Sequence, residues 1–476
     1  MGLPPTVGRA LVLGASRSGV AAAVALADHG VEVVISDRRS QSDLPSLRDA
    51  IDRGVRFAPE GSLGQDWPDP DVVVKSPGVS GEADPVRLAR DKGVPVWSEL
   101  ELAYVLLPNP FDAVTGTNGK TTTTALLGHL FETAGRPVRV LGNIGVAVTS
   151  VIGDVRPEEE IVVEVSSFQL EDVTSFRPAV GVFLNLTPDH LDRHGTMERY
   201  LACKANMFMY QGTEDVAVLN AGDGAIAALG VELAATAGGP RVSYFSVEGR
   251  HARGHGGDFG GKIDVGSWIE ADTLYLEGEP VLGIHEILLP GRHNLENCLA
   301  AGAAAMARGV GRIDIAEGLR TFCGVAHRLQ TAGMVGGVTY VNDSKATNVE
   351  ATITALNAYP RNTHLILGGR DKHSDYRPVA RACATGCKAV YLIGEATPLI
   401  ESAFSEFRKS RASGDAPEVC VCGDLERAVH LAAKKAVPGD VVLLAPACAS
   451  FDQYSDYEAR GDHFRHLVEQ LGGERS

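Results

Sequence analysis

The stretch Val114-Thr115-Gly116-Thr117-Asn118-Gly119-Lys120-Thr121-Thr122 combines residue types that bind nucleotide phosphates. Glycines let backbone N–H groups approach phosphate oxygens, and the N-terminus of a following helix adds partial positive charge. Lys120 supplies a full charge, and the Thr121 hydroxyl can ligate Mg²⁺. The standard P-loop pattern has a glycine where Val114 stands, so this is a shortened relative of that motif. A threonine-rich turn that only caps a helix is the alternative.

Two predicted elements flank this stretch and a third lies beside it. A strand ends near Val114, and apolar residues such as Leu126 and Leu130 have the spacing of a helix over residues 123–134. A second buried strand, residues 161–167, carries Glu164 in an apolar run, where an unpaired carboxylate is costly. Mg²⁺ beside Thr121 is the natural partner for Glu164, and a hydrogen bond to a neighbouring serine is the alternative.

Further candidates follow along the same segment. A strand predicted over residues 180–186 runs into the polar cluster TPDHLDRH, in which His190 is a candidate ligand. Lys204 lies on a helical stretch with a mixed face, where a solvated lysine is the default interpretation. The sequence GRHNLEN opens an alanine-rich helix predicted over residues 298–308. Asn294 and Asn297 share one face of it, where their amides can hydrogen-bond a purine.

The N-terminal segment predicts a βαβ unit. A strand over residues 10–13, a glycine-containing turn, a helix over residues 20–29 and a strand over residues 31–35 lead to Asp37. Ser16 stands where the dinucleotide fingerprint has its second glycine, which disfavours a dehydrogenase but leaves a nucleotide-like ligand at the helix N-terminus. A later strand, residues 71–75, runs into the loop Ser76-Pro77-Gly78 at a carboxyl strand end.

The C-terminal segment predicts a doubly wound domain with a parallel sheet. Its strands are predicted over residues 339–342, 365–367, 389–393 and 441–445. Polar clusters follow three of them, at residues 343–348, 368–372 and 446–452. Loops at carboxyl strand ends are the usual ligand positions of such sheets.

Length and pattern together predict an α/β protein of three domains. A chain of 476 residues is too long for one hydrophobic core. We place a Rossmann-like domain over residues 1–96, a P-loop-type ATPase domain over residues 97–323 and the doubly wound domain over residues 324–476. Residues 238–283 are glycine-rich, and we expect hairpins there; a metal tract at His251 and His255 is the alternative.

Composition excludes some classes of function. The net charge of −16, with no basic stripe, argues against a nucleic-acid partner. No apolar run of about 18 residues and no apolar signal core near the N-terminus are visible, so we expect no membrane insertion and a cytoplasmic location. The 8 cysteines lack CxxC spacing, which indicates free, mostly buried thiols.

Taken as an ordered set, these motifs resemble the Mur ligases of peptidoglycan synthesis. The resemblance covers nearly the whole chain and rests on residues 115–122, 185–190, 291–297, 327–328, 343–348 and 446–450. Within the family, the short N-terminal domain, the loop at residues 76–78 and residues 450–452 resemble the members that add D-glutamate.

The resemblance implies an ATP-dependent amide ligase that works through an acyl phosphate. Its substrates would be ATP, D-glutamate and UDP-N-acetylmuramoyl-L-alanine, its metal would be Mg²⁺ at two sites, and the chain would act as a monomer. Lys204 would be carbamylated, because a lysine at this place in the family reacts with CO₂.

The resemblance also implies roles for single residues. The catalytic residues would be Lys120, His190, Lys204 and Lys345. The metal ligands would be Thr121, Glu164, His190 and Lys204. The ATP-binding residues would be Gly116, Thr117, Asn118, Gly119, Lys120, Thr121, Thr122, Asn294, Asn297, Arg328 and Asp343. The UDP-substrate would meet Arg17, Ser18, Asp37, Arg38, Ser76 and Asn143, and the amino acid would meet Thr347, Lys372, Ser450 and Phe451.

Three alternatives stay open at this point. The folylpolyglutamate synthetases share the ATP motifs but lack this N-terminal domain. Donor chemistry at Thr347, Lys372 and Ser450 suits a dicarboxylate but does not distinguish D- from L-glutamate. The third alternative is a nucleotide binder without ligase activity, such as a dehydrogenase-type protein.

Overall fold

The computed structural model describes residues 2–62, 69–142, 146–252, 263–372, 374–409 and 417–474. The chain forms two compact units, Met1–Phe322 and Cys323–Ser476. Parallel strands with connecting helices build both units, which confirms the predicted α/β class. Among the residues described, no helix combines the length and the apolar character that crossing a bilayer requires.

The first unit begins with a parallel sheet. Its elements are β1 (Arg9–Leu13), α1 (Arg17–Asp28), β2 (Glu32–Asp37), α2 (Leu47–Asp52), β3 (Arg56–Pro59), β4 (Val72–Lys75), α3 (Asp84–Asp91) and β5 (Val96–Ser98). The strand order is β3-β2-β1-β4-β5, and the predicted βαβ unit is present. A Cβ on Gly19 would overlap the Gly14 carbonyl, so glycine is what lets α1 start against the β1 turn. The predicted boundary at residue 96 falls at the first residue of β5, which belongs to this sheet, and the division into three domains stays a prediction.

The same unit continues into a larger sheet. Its elements are α4 (Glu99–Leu106), β6 (Phe111–Thr115), α5 (Lys120–Thr133), β7 (Val138–Gly142), β8 (Glu160–Glu164), α6 (Ser167–Leu170), β9 (Val180–Phe183), α7 (Leu191–His194), α8 (Met197–Ala205), β10 (Val216–Asn220), α9 (Gly224–Ala235), β11 (Arg241–Ser246), β12 (His251–Ala252), β13 (Ile263–Asp264), β14 (Ser267–Glu270), β15 (Thr273–Leu276), β16 (Glu279–Gly283), α10 (Arg292–Ala307) and α11 (Arg312–Thr321). The order is β16-β15-β14-β11-β10-β9-β6-β8-β7.

Two predictions about this sheet need correction. The prediction of hairpins over residues 238–283 is confirmed for β14, β15 and β16, which pair antiparallel. It is wrong for β11, which pairs in parallel with β10. Helix α10 begins at Arg292 instead of residue 298, so Asn294 and Asn297 both lie within its first two turns. Its small buried residues, Ala300 to Ala305, let α10 pack closely on α5.

The second unit is a sheet with helices on both faces. Its elements are β17 (Gln330–Val335), β18 (Val338–Asn342), α12 (Val349–Ala358), β19 (Thr363–Gly368), α13 (Arg377–Cys383), β20 (Cys387–Ile393), α14 (Thr397–Lys409), β21 (Glu418–Gly423), α15 (Leu425–Lys435), β22 (Val441–Leu444) and α16 (Tyr457–Glu474). The order is β17-β18-β22-β19-β20-β21. The sheet is parallel except for β17, an antiparallel edge strand that the sequence prediction missed. The polar clusters after β18, β22 and β19 therefore follow three neighbouring strands.

Candidate functional site

The predicted strand–loop–helix arrangement is present at the phosphate loop. Strand β6 ends at Thr115 and α5 begins at Lys120, so the loop between them lies at the N-terminus of a 14-residue helix. Gly119 takes a left-handed conformation, with φ of 83°. A Cβ on Gly119 would overlap the Asn297 side chain, so both the backbone angle and the close packing require glycine.

The loop is held in shape by Asn185, which follows β9. The Asn185 Oδ1 atom accepts hydrogen bonds from the backbone N–H groups of Thr117 at 3.1 Å and Asn118 at 2.8 Å. Its Nδ2 group donates to the Asn118 carbonyl at 3.1 Å. The sequence analysis includes Asn185 in a family motif but predicts no role for it, because it lies 67 residues from Asn118 and reaches it only through the pairing of β6 with β9.

Two lysine amines converge on one carbonyl of this loop. Lys120 Nζ donates to Gly116 O at 3.0 Å and to Thr117 O at 2.8 Å. Lys204 Nζ donates to the same Gly116 O at 2.8 Å and to Thr115 Oγ1 at 3.3 Å. Two positive charges at one carbonyl repel each other, so the loop favours an anion nearby or a neutral amine.

Lys204 is fully buried, so the interpretation as a solvated lysine is wrong. It is 1% exposed, and its Nζ lies 4.7 Å from the centroid of the Tyr200 ring. Burial, reinforced by the charge of Lys120, holds the Lys204 pKa well below its usual value. The neutral amine is therefore accessible at a lower pH than for an exposed lysine.

The predicted neighbours Thr121 and Glu164 are in contact. Thr121 Oγ1 donates to Glu164 Oε2 at 2.7 Å, and both residues are buried. They meet because Val114, near the end of β6, lies opposite Glu164 on β8. The pair presents hydroxyl and carboxylate oxygens beside the phosphate loop, which is the donor set that Mg²⁺ uses together with nucleotide phosphates. Among the described residues, no group of three or more His, Cys, Asp and Glu side chains forms a metal cluster by itself.

His190 lies on the turn that starts α7. Its backbone is left-handed, with φ of 51°, and its imidazole is half exposed, with Nε2 3.5 Å from Asp189 Oδ2. The Phe168 ring packs against the His190 ring edge-on at 5.0 Å and stacks on the neighbouring His194 at 5.3 Å. A left-handed backbone at a non-glycine residue is strained, and such strain often marks a functional turn.

Asn294 and Asn297 are packed inside the unit. Asn297 Nδ2 donates to Asn294 Oδ1 at 3.1 Å, and Thr123 Oγ1 of α5 donates to Asn297 Oδ1 at 3.1 Å. A cavity of about 680 Å³ opens at the carboxyl ends of β9, β10 and β11; its lining includes Asn185, Asp223 and Glu296. Among the described residues that line it, Asn294 and Asn297 do not appear, so their predicted contact with adenine stays a prediction.

At the N-terminal sheet, Asp37 is paired with Arg39. Asp37 accepts hydrogen bonds from Arg39 at 2.9 Å and from the Ala15 N–H at 2.8 Å, and the Arg39 side chain chiefly holds its pKa below the usual range. The predicted contact Arg38 pairs instead with Glu60 at 2.8 Å and is exposed.

Gly14, Asp37, Arg38 and Ser80 line a cavity of about 160 Å³ there. Ser76 Oγ, from the loop after β4, donates to Gly14 O at 3.1 Å, and Arg17 and Ser18 start α1. Asn143 lies outside the described residues.

In the second unit, Arg328 and Asp343 carry buried polar groups. Within the described part of the chain, Arg328 Nη1 is buried without a hydrogen-bond partner. Asp343, which follows β18, accepts a hydrogen bond from the Leu329 N–H at 3.2 Å. Burial raises the pKa of Asp343 to about 6, and the charge of Arg328 opposes this shift.

The three polar loops of this unit are joined by backbone hydrogen bonds. Ala447 N donates to Ala346 O at 2.9 Å, and Arg370 and Ala449 exchange a pair of bonds at 2.9 and 3.1 Å. The predicted amino-acid contacts are spread over these loops: Thr347 is half-buried, Lys372 and Phe451 are exposed, and Ser450 is buried. Lys345 Nζ lies 5.6 Å from the centroid of the Tyr457 ring.

Arg460, which the sequence prediction missed, lies inside the unit and contacts the loops after β18 and β22. Its guanidinium is 1% exposed and donates to Ser344 O at 2.9 Å and to Cys448 O at 3.2 Å. Burial lowers its pKa to about 10. Because the guanidinium is satisfied mainly by carbonyl oxygens, it fixes the relative positions of the loops after β18 and β22. No local pattern distinguishes Arg460 from the other charged residues of α16.

Comparison with known proteins agrees with the fold. Residues 114–305 match the Mur ligase middle domain, and residues 327–448 match the Mur ligase glutamate ligase domain. The chain therefore belongs to the Mur ligase family.

Relatives share nearly the full length of the chain. A UDP-N-acetylmuramoylalanine–D-glutamate ligase of Pelotomaculum thermopropionicum is 44% identical over 97% of this chain and 98% of its own length. The protein of the same name from Acidobacterium capsulatum is 42% identical over 97% and 96%.

Among solved structures, the UDP-N-acetylmuramate-alanine ligase of Thermotoga maritima covers 98% of this chain and 99% of its own, with a TM-score of 0.57 and 19% identity. The MurF ligase of Thermotoga maritima in complex with ADP covers all of both chains, with a TM-score of 0.55 and 17% identity. These two structures share the fold.

Replacing Asn185 with alanine should weaken nucleotide binding. The variant loses the two hydrogen bonds that fix the Thr117 and Asn118 N–H groups, so the dissociation constant for ADP, measured by calorimetry, should rise about 10- to 100-fold. Asn109 is a matched control, because it is buried and donates to Arg156 O and Glu159 O near the amino end of β6. Equal ADP affinities for Asn185→Ala and Asn109→Ala would contradict the role of Asn185.

Asp343 should make stability depend on pH. Its folded pKa of about 6 exceeds the ordinary value of 3.8, so its contribution to stability is full below pH 3.8 and is lost as the pH rises through about 6. A shift of this size corresponds to about 3 kcal/mol. Denaturant unfolding of the full chain at pH 4 and pH 7 should show this loss in the wild type and in the control Glu350→Gln, which changes an exposed residue. The same pH dependence in Asp343→Asn would show that Asp343 is not the titrating group.

Proposed function

We propose that the chain is an ATP-dependent ligase that joins D-glutamate to UDP-N-acetylmuramoyl-L-alanine in peptidoglycan precursor synthesis. The observation that carries this proposal is the buried Thr121–Glu164 pair beside Lys120, in a chain that aligns over 97% of its length with D-glutamate ligases. The enzyme acts on these small molecules as a monomer in the cytoplasm.

The chemistry of amide formation explains why a phosphate site is needed. A carboxylate is a poor electrophile, so one of its oxygens first attacks the γ-phosphorus of ATP, and the bond from that phosphorus to ADP breaks. The amine of D-glutamate then attacks the carbonyl carbon of the acyl phosphate. The carbon–oxygen bond breaks, phosphate leaves and the amine loses a proton. Positioning and charge neutralisation supply most of the acceleration of such transfers.

The phosphate loop supplies both effects. Hydrogen bonds from the Thr117 and Asn118 N–H groups to Asn185 hold the backbone of the loop in one shape, so little reorganisation of the loop should accompany nucleotide binding. Lys120, whose amine donates to the Gly116 and Thr117 carbonyls, is the first residue of α5, so its charge lies at the helix N-terminus where a phosphate would bind. Bound Mg²⁺ would neutralise charge on the transferring phosphoryl group, held by Thr121 and Glu164 at one site and by His190 and Lys204 at the second.

The second unit carries further candidate binding groups of its own. The buried Arg328 Nη1 atom, with no partner among the described residues, suits a nucleotide oxygen, and Asp343 and Lys345 lie on the adjoining segments. Lys372, Thr347, Ser450 and Phe451 lie on the three joined loops, whose cationic and hydroxyl donors suit a dicarboxylic amino acid. Asn294 and Asn297 keep their proposed adenine role, and Arg17, Ser18, Asp37, Arg38, Ser76 and Asn143 their proposed role toward the uridine nucleotide.

Product analysis tests the proposed function directly. Purified protein is incubated with ATP, Mg²⁺ and UDP-N-acetylmuramoyl-L-alanine, with D-glutamate, L-glutamate or L-lysine as the amine. Mass spectrometry should find the D-glutamyl product and one phosphate per amide bond only with D-glutamate. Equal turnover with L-glutamate would contradict the stereochemistry. Turnover of a folate or polyglutamate acceptor in place of the uridine nucleotide would contradict the function.

We also propose that Lys204 carries a carbamate. The neutral amine attacks CO₂, a nitrogen–carbon bond forms and one proton leaves, which turns a cation into an oxygen ligand. Its low pKa supports this, because burial and Lys120 both favour the neutral amine that reacts. The carbamate also replaces the repulsion between two cations at Gly116 O with an attraction to Lys120.

Lys204→Ala should lose almost all activity and regain part of it in acetate, which supplies the missing carboxylate. Lys120→Ala is the matched control. This variant should be equally inactive and gain nothing from acetate, because the group that it has lost is a cation and acetate is an anion. In the wild type, ¹³C NMR with ¹³C-bicarbonate should show one carbamate resonance that is absent in Lys204→Ala. A wild-type spectrum without that resonance would contradict the modification.

A further inference from the structure

A single arginine contacts both the loop after β4 and the turn that carries His190. Arg193 Nη1 donates to Pro77 O at 2.8 Å, and its Nη2 donates to Val79 O at 2.7 Å. These carbonyls belong to the loop from Ser76 to Ser80 at the carboxyl end of the N-terminal sheet. Arg193 itself lies on α7, three residues after His190.

The guanidinium of Arg193 also reaches the His190 ring through one aromatic side chain. Its Cζ atom lies 4.1 Å from the centroid of the Phe168 ring. Phe168 in turn packs edge-on against His190 at 5.0 Å. The attraction between the guanidinium and the face of Phe168 ties this ring to Arg193, so the position of Arg193 bears on the His190 ring that Phe168 contacts.

The base of the same loop is fixed by buried charges. Lys75, the last residue of β4, has a side chain that is 0% exposed and lies 2.9 Å from Glu171 Oε2 and 2.8 Å from Asp172 Oδ2. Arg90 pairs with the other oxygen of Asp172 at 2.7 Å. Glu171 Oε2 also lies 3.6 Å from Arg193 Nη2, so Lys75 and Arg193 share one carboxylate.

This network leaves the loop little freedom to move alone. A buried ammonium between two carboxylates cannot shift without losing a partner, and an unpaired buried charge is costly. A displacement of the loop from Ser76 to Ser80 therefore moves the Pro77 and Val79 carbonyls, and with them the guanidinium of Arg193. Phe168 and His190 are the next residues in this series of contacts.

We infer that Arg193 is a positioning residue that couples occupancy of the Ser76–Ser80 loop by the uridine nucleotide to Mg²⁺ binding at the His190 turn. The inference rests on the proposed function, which assigns the uridine nucleotide to this loop and a metal site to His190. Coupling between two ligands is reciprocal, so each should tighten binding of the other by the same factor.

Calorimetry on the full-length protein measures this coupling without turnover. UDP-N-acetylmuramoyl-L-alanine is titrated in the presence of a nonhydrolysable ATP analogue, once without Mg²⁺ and once with saturating Mg²⁺. In the wild type, Mg²⁺ should lower the dissociation constant at least about fivefold. In Arg193→Gln the dissociation constant without Mg²⁺ should rise, and the ratio between the two conditions should fall close to one.

Two further variants separate coupling from general damage. Arg199→Gln, on the neighbouring helix, removes an exposed arginine and should keep the wild-type ratio. Phe168→Leu removes the ring between Arg193 and His190 but leaves the loop contacts. Its dissociation constant without Mg²⁺ should therefore match that of the wild type, while the ratio between the two conditions should fall close to one. A merely structural role for Arg193 would lower the melting temperature and the fraction of competent protein, but not the ratio.

The outcomes distinguish the inference from the function on which it rests. If the wild type binds the uridine nucleotide and Arg193→Gln keeps the wild-type ratio, the coupling role is overturned and the proposed function stands. If the wild type does not bind the uridine nucleotide at all, the proposed function fails and the inference fails with it.

Discussion

The hydrogen bond between Thr121 and Glu164 is the contact that ties the phosphate loop and its helix to the larger sheet. It joins the first turn of α5 to the carboxyl end of β8, inside the protein, at 2.7 Å. A carboxylate at this depth needs a partner, and the parallel pairing of β6 with β8 brings the threonine to it. Because the phosphate loop lies between β6 and Thr121, the bond also fixes where a metal ion would meet the phosphates.

Several groups near the two candidate sites are held in states that cost stability. Lys204 is buried beside another lysine, Asp343 is buried with a raised pKa, and Arg460 is buried with a lowered one. His190 and His327 are held in left-handed backbone conformations. Such conditions persist where function requires them and the surrounding packing determines them. The apolar cores behind both sheets supply the compensating stability.

The sequence identifies those parts of the site that can be recognised from neighbouring residues in the chain. The phosphate loop is contiguous, and Glu164 is conspicuous because its neighbours are apolar, so both could be predicted. Asn185, Arg193 and Arg460 could not, because each acts on a segment that is distant along the chain. Lys204 shows the limit of periodicity: its helix has a mixed face, and only the tertiary packing decides that the amine points inward. Likewise β11 and β17 were mispredicted or missed because strand pairing partners are not local information.

The central claim is that the Thr121–Glu164 pair and the loop from Gly116 to Lys120 form the site of phosphoryl transfer. The most direct measurement is a crystal structure of the protein with a nonhydrolysable ATP analogue and Mn²⁺, read by the anomalous signal of the metal. The claim predicts an anomalous peak at coordination distance from both Thr121 Oγ1 and Glu164, with the terminal phosphates on the N-terminus of α5. Nucleotide density elsewhere, or a metal peak that contacts neither Thr121 nor Glu164, would contradict it.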